Sequence, residues 1–240
     1  MIYVNGGRGE LLHFLPKGLV VAEIGTQTGY FAKALLKEIQ PTELHLIDPW
    51  VHHEDEEYEA DAANVTQTQQ DKLYSDVAET FKSEIADGVV HLHRDYSPAA
   101  AGRFSDGYFD MIYIDAMHYH AAVLADLMAW APKLKPSGIL AGHDLCEFDI
   151  SAQMNFGVVS AVSTFIQRSK FSWAFLAGGE LFGSFFLCDK SSEDWVQPTL
   201  LALKASNFLC LELPDSIVAS YHHKRIMPGK DDTGLIPSFV

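Results

Sequence analysis

At 240 residues, 48% of them hydrophobic and 20% charged, the chain can fill the core of one large domain or two small ones, and its composition argues against disorder. A formal net charge of −15 speaks against a phosphate backbone as partner, so nucleic acid is not expected as a substrate. The three cysteines, Cys146, Cys188 and Cys210, are odd in number and widely spaced, which excludes a disulfide framework and a paired-cysteine zinc pattern.

In chain order, residues 1–18 lack the long apolar core of a signal peptide, and a cytoplasmic location is expected. Leu11, Leu12, Phe14 and Leu15 predict one or two helical turns packed on the core. Arg8 is placed near the site only by its closeness in sequence to the loop that follows. Leu19 to Ala22 is a short apolar run of the kind found in buried parallel strands. Glu23 to Gly29 is a glycine-punctuated turn, and Phe31, Ala34, Leu35 and Ile39 then recur at helical spacing. A strand leading through a glycine loop into a helix brings backbone N–H groups and a helix start close to a ligand. A dinucleotide site would need glycine at the first, third and sixth loop places, which here hold Gly25, Gln27 and Tyr30, so that pattern fails. The Glu-x-Gly-x-x-x-Gly pattern instead resembles the first motif of class I S-adenosylmethionine-dependent methyltransferases.

Glu43 to Ile47 is the second strand, ending in Asp48-Pro49-Trp50. An acid at that tip, about 20 residues past the loop, is placed to bind ribose hydroxyls. Asp48 also suits the opening of a turn before Pro49. The run from His52 to Asp61 is acidic and reads as a solvated face, with a metal site at its paired histidines as the minor alternative. Leu73, Val77, Phe81 and Ile85 mark a helix ending near Asp87-Gly88. Val89 to His93 is the third strand, and Ser97-Pro98 after it suits a helix cap with a first-turn proline. Phe109 to Ile114 is the fourth strand, ending in Asp115, followed by a helix from about His120 to Leu134. Ser137 to Gly142 is the fifth, ending in His143-Asp144. A helix opens at Gly157, and Phe171–Ala177 and Leu181–Cys188 form a hairpin around Gly178-Gly179 rather than a membrane span.

Strands alternating with helices indicate an α/β fold with a doubly wound, mostly parallel sheet. The resemblance to class I methyltransferases implies a Rossmann-like sheet of seven strands with the last antiparallel. Residues 1–190 are assigned to one domain. Residues 191–240 form an extension expected to pack on that domain or on a partner subunit, and a homo-oligomer is compatible with this.

In such a sheet, ligands sit outside the carboxyl ends of the strands, where Asp48, Asp115 and Asp144 fall, with His118 and His143 in the same loops. Two convergent carboxylates call for a proton or a cation between them, and Mg²⁺ or Mn²⁺ suits oxygen ligands. Tyr113 to His120, Asp126-Leu127, Trp130, Pro132, Leu134-Lys135-Pro136 and Gly142-His143-Asp144 resemble a bacterial methyltransferase family that includes metal-dependent O-methyltransferases acting on macrolide and aminocoumarin sugars. The likeness runs from about Arg8 to Phe186. It implies cofactor contacts at Glu23, Gly25, Thr26, Gly29, Asp48, Trp50, Tyr96, Ser97 and Asp115, metal ligation by Asp115, His143 and Asp144, and His118 as general base beside Asp115. His143 departs from the family pattern, which has an acid there. The expected reaction is methyl transfer from S-adenosylmethionine to a hydroxyl of a small molecule, a sugar or glycoside foremost. The alternatives are a metal-dependent relative resembling a cephalosporin hydroxylase component and a cofactor-binding module without transferase activity.

Overall fold

The computed structural model describes residues 1–54, 63–146, 156–226 and 234–239. Most of the acidic run after His52, and residues 230–233 of the tail, lie outside the described residues. The strands are β1 (Ile2–Val4), β2 (Val20–Ile24), β3 (Glu43–Asp48), β4 (Val90–Arg94), β5 (Phe109–Ile114), β6 (Leu134–Leu145), β7 (Phe171–Ala177), β8 (Gly183–Asp189), β9 (Cys210–Glu212), β10 (His222–Ile226) and β11 (Gly234–Ser238). The helices are α1 (Arg8–Leu12), α2 (Tyr30–Ile39), α3 (Gln67–Thr80), α4 (Lys82–Ala86), α5 (Ser97–Ala101), α6 (His120–Trp130), α7 (Val158–Arg168) and α8 (Val196–Lys204).

The main sheet runs β4-β3-β2-β5-β6-β8-β7-β1-β9, with β10 and β11 paired apart from it. Strands β4, β3, β2, β5 and β6 are parallel to one another, and β8 runs antiparallel between β6 and β7. This is the expected Rossmann-like sheet, extended by two strands. Strand β1 pairs parallel with β7, and β9 antiparallel with β1. The lead-in therefore contributes a strand as well as the short helix expected there.

Apolar residues on both faces of the central strands explain the three-layer build, because a parallel sheet needs cover on each side. One face packs Val123, Leu127 and Trp130 of α6 with Val162 and Phe165 of α7. The other packs Leu11 and Leu12 of α1, Phe31 and Leu35 of α2, Val77 of α3 and Leu203 of α8. Residues 195–212 thus pack on the same chain, through Trp195, Val196, Leu203 and β9.

Three element boundaries differ from expectation. The helix read through Ile85 breaks at Phe81 into α3 and α4. Helix α6 ends at Trp130, because Pro132 passes the chain into a 3₁₀ turn over Ala131–Lys133. Strand β6 runs on to Leu145, so His143 and Asp144 lie inside the strand rather than after it. Its pairing with β8 passes from Gly142 opposite Phe185 to Leu145 opposite Gly183, so β6 carries one extra residue. Asp144 sits in that bulge with φ +53°. In a regular strand His143 and Asp144 would face opposite sides; a bulge re-aims side chains at such a point.

Candidate active site

The carboxyl ends of β2, β3, β5 and β6 open on a cavity of about 700 Å³. Its wall includes Glu23, Gly25, Thr26 and Asp48 on one side, and Asp115, His118, His143 and Asp144 on the other. Tyr96, Ser97, Arg8 and Asp126 also line it.

The glycine loop approaches β5 as closely as backbone allows. Gly25 has φ +91°, and a Cβ there would lie 2.0 Å from the carbonyl oxygen of Asp115, so no other residue fits. Gly29 starts α2 at φ +70°, and its bare Cα faces the Phe81 ring rather than the cavity. Asp48 accepts the backbone N–H of Gln27 at 2.9 Å on one oxygen and that of Trp50 at 2.7 Å on the other. This holds loop and strand tip together while each oxygen keeps a lone pair for a ligand. Trp50, expected at the cofactor, is buried behind the loop instead, where its indole N–H donates to the Gln27 carbonyl at 2.8 Å. Both Gln27 (φ +46°) and Trp50 (φ +44°) have backbone conformations that L-residues seldom adopt, a frequent mark of functional loops.

Glu23 is buried, and its Oε2 has no hydrogen-bond partner among the described residues. Burial pushes its carboxyl up to about 8 against the opposing pull of Thr26. Burial also raises the Asp48 carboxyl, with the Trp50 and Gln27 N–H groups opposing. Tyr96 is the N-cap of α5 and is half exposed, so the cap falls one residue before Ser97. The Ser97 hydroxyl is bonded to the Asp126 carboxylate and accepts the Trp130 indole N–H at 2.9 Å. Burial pushes Asp126 up to about 6.

The opposite wall is a charge network. His118 Nε2 lies 2.7 Å from Asp144 Oδ2, and His143 Nδ1 lies 3.0 Å from Asp144 Oδ1 and 3.8 Å from Asp115 Oδ1. Arg8 reaches Asp115 Oδ2 at 2.5 Å and the Tyr113 hydroxyl at 3.3 Å, with its guanidinium over the Phe31 ring. Glu180, in the β7–β8 turn, accepts the Arg8 backbone N–H at 3.0 Å and comes within 3.5 Å of His143 Nε2. The ring of His118 stacks on Phe156, 4.6 Å between centroids and 6° from parallel. Its carbonyl accepts the Gly157 N–H at 2.8 Å, tying it to the start of α7.

Burial alone would raise the Asp144 carboxyl, yet hydrogen bonds and charge from His118 and His143 hold it well below the usual carboxylate range. Burial works against the charged form of His143, but Asp144 and Glu180 outweigh it and push the imidazole up to about 9. Asp115 moves the other way, raised by burial despite His143 and Arg8. At neutral pH the cluster therefore holds a firm Asp144 carboxylate between two imidazoles. Among the described residues, Asp115, His118 and Asp144 offer donor atoms that all lie within 4.8 Å of one another, a set suited to a divalent cation, with His143 directly beside it.

Arg8 and Glu180 were the hardest members to foresee. Arg8 had only its nearness to the loop in its favour, and Glu180 only its place in a hairpin turn. Their partners lie 107 and 172 residues away in sequence.

A family model described as a methyltransferase domain matches residues 22–145, more than half of the chain. No curated protein sequence matches it. Among solved structures, a SAM-dependent methyltransferase from Aquifex aeolicus aligns at TM-score 0.53 and 15% identity, over 77% of this chain and 91% of that one. The Bacillus subtilis m1A22 tRNA methyltransferase aligns at 0.51 and 11%, over 82% and 76%. A Streptococcus mutans structure in complex with SAH aligns at 0.50 and 12%, over 75% and 94%. At such identities these likenesses establish the fold alone.

Proposed function

The chain belongs to the methyltransferase-domain family, and from that membership we propose that it transfers a methyl group from S-adenosylmethionine to a hydroxyl of a small molecule, a sugar or glycoside foremost. The observation that carries the reading is one cavity walled both by the glycine loop with Asp48 and by His118 paired to Asp144.

In this reading Asp48 binds the ribose hydroxyls, Tyr96 flanks the adenine, and the open carboxyl of Glu23 receives the methionine amine. Such a cation at Glu23 satisfies a buried oxygen left without a partner among the described residues. The acceptor hydroxyl then sits near His118, which takes its proton as general base. Asp144 orients the ring and stabilises the imidazolium formed, the logic of a nucleophile, a base and an orienting acid. His143, positively charged beside Asp144 and Asp115, balances the two carboxylates. The proton leaves the hydroxyl, its oxygen forms a bond to the sulfonium methyl, and the sulfur–carbon electron pair stays on S-adenosylhomocysteine. Because the methyl donor is already activated, positioning and deprotonation supply most of the catalysis.

The donor set also fits a divalent cation held by Asp115, Asp144 and an imidazole, with the Arg8 pair on Asp115 as its competitor. When bound, Mg²⁺ or Mn²⁺ supplies Lewis-acid polarisation of the acceptor hydroxyl.

The test is transfer of radiolabelled methyl from S-adenosylmethionine to a pool of hydroxylated glycosides, with and without Mg²⁺ or Mn²⁺. Label in base-stable methyl ethers is expected. Tight cofactor binding with label moving only to amines would overturn the oxygen-directed reading.

A further inference from the structure

We propose that Glu43, His45 and His91 form a second metal site, for a borderline divalent cation of the zinc class, on the edge pair β3–β4 away from the cavity. Residues two apart on a strand share a face, which puts Glu43 with His45 and His91 with His93. The parallel register sets His45 opposite His91, so all four side chains stand on one side of the sheet. The donor atoms of Glu43, His45 and His91 lie within 4.8 Å of one another. Ligand atoms around tetrahedral zinc, with bonds of about 2.0–2.1 Å, are roughly 3.3 Å apart. His45 Nε2 and Glu43 Oε2 stand 3.2 Å apart, already at that separation.

The His91 ring is stacked on that of His45, 4.7 Å between centroids and 19° from parallel, and turns about its side-chain bonds to aim a nitrogen at the ion; the rest of the surroundings matches what a bound metal needs. His45 Nδ1 is 2.9 Å from His93 Nε2. With the proton on Nδ1 and donated to His93, the His45 Nε2 lone pair points towards Glu43, the outer-shell arrangement that fixes a ligating histidine. The Tyr108 hydroxyl donates to Glu43 Oε2 at 2.5 Å and orients the carboxylate. Phe104 and Phe109 stand edge-on to the His45 ring at 5.1 and 5.4 Å, an apolar wall behind the site. The Glu43 side chain is 39% exposed, which leaves a path for an ion to enter. Two imidazoles and one carboxylate, with a fourth position open, suit zinc better than magnesium. In the opposite tautomers, with His93 Nε2–H donating to His45 Nδ1 and His45 Nε2–H donating to Glu43, the same atoms form a metal-free hydrogen-bonded chain. Experiment separates the two.

The probe is Co²⁺, whose visible absorption is intense when four-coordinate, added to chelator-stripped protein carrying Asp144→Asn so that the cavity donors cannot account for the signal. One equivalent bound and displaced by Zn²⁺ is expected, with the band lost in His91→Ala and binding weakened at least tenfold in Glu43→Gln. Zn²⁺ should raise the melting temperature of the Asp144→Asn chain and leave that of the Glu43→Gln double variant unmoved. Glu43→Gln, a near-isosteric change at a partly exposed side chain, keeps the test valid if His91→Ala fails to fold. Absence of saturable binding, or binding unaltered by both changes, overturns the site.

Discussion

At the tips of β2 and β3, what faces the cavity is held by backbone: Gly25 lies against the Asp115 carbonyl, Asp48 accepts two loop N–H groups, and Trp50 clasps Gln27 from behind. At the tips of β5 and β6, the groups are held by one another: Asp144 between two imidazoles, and Asp115 between Arg8 and His143. The first region is a mould, its shape set by chain geometry. The second is a balance of charges, in which removing one member changes the protonation of the rest.

The largest expected effect tests the balance. Asp144→Ala should lower methyl transfer by about a thousandfold through loss of the oriented base, while S-adenosylmethionine affinity by titration calorimetry stays nearly unchanged. Equal loss of both would erase the distinction between the two regions. Gly25→Ala attacks the mould: the added Cβ meets a carbonyl oxygen at 2.0 Å at a φ of +91°, so urea unfolding should show a loss of at least about 3 kcal/mol, with cofactor binding abolished.

A smaller effect is expected from Glu23, the buried carboxyl of the mould. Its carboxyl, pushed up to about 8, binds a proton more tightly folded than unfolded. The stability this gives is fully present below about pH 4.5 and lost as pH rises through about 8. Melting temperatures of the cofactor-free protein should therefore fall more steeply over that window than those of Glu23→Gln. Parallel curves would mean that Glu23 ionises freely in the fold. The smallest effect is Trp50→Phe, which strands the Gln27 carbonyl and should cost about 1–2 kcal/mol with catalysis at saturating substrate retained.

The same contrast explains what could be read from sequence. The mould is local: its glycines and Asp48 sit within one strand–loop–helix–strand unit whose spacing identifies it. Trp50 was legible in place but not in direction, since nothing in Asp48-Pro49-Trp50 says that the indole turns behind the loop. Asp115, His143 and Asp144 of the charge cluster were legible because they close apolar runs, and His118 because it stands three residues after Asp115 in the same loop. Their balancing partners were not, because Arg8 and Glu180 arrive through contacts with no local signature. Strand β1 was lost for the same reason: Ile2-Tyr3-Val4 is three residues long, and its partner residues begin at Phe175. The bulge at His143-Asp144 leaves no mark in the sequence, because a strand with one extra residue has the same letters as one without.

That bulge has a consequence in time. It exists only as a mismatch between β6 and β8, and β8 enters the sheet between β6 and β7 although it is the later strand of the hairpin. Strands β2, β3, β4 and β5 with their helices can close on one another as soon as they are complete, whereas Asp144 acquires its direction only when β8 slides into the gap. Cofactor-binding geometry should therefore appear early in refolding and the charge cluster late, limited by a single strand insertion with long loop closure behind it. A chain halted before Gly183 would hold the glycine loop and Asp48 in place, and a His118 without the aimed carboxylate that partners it.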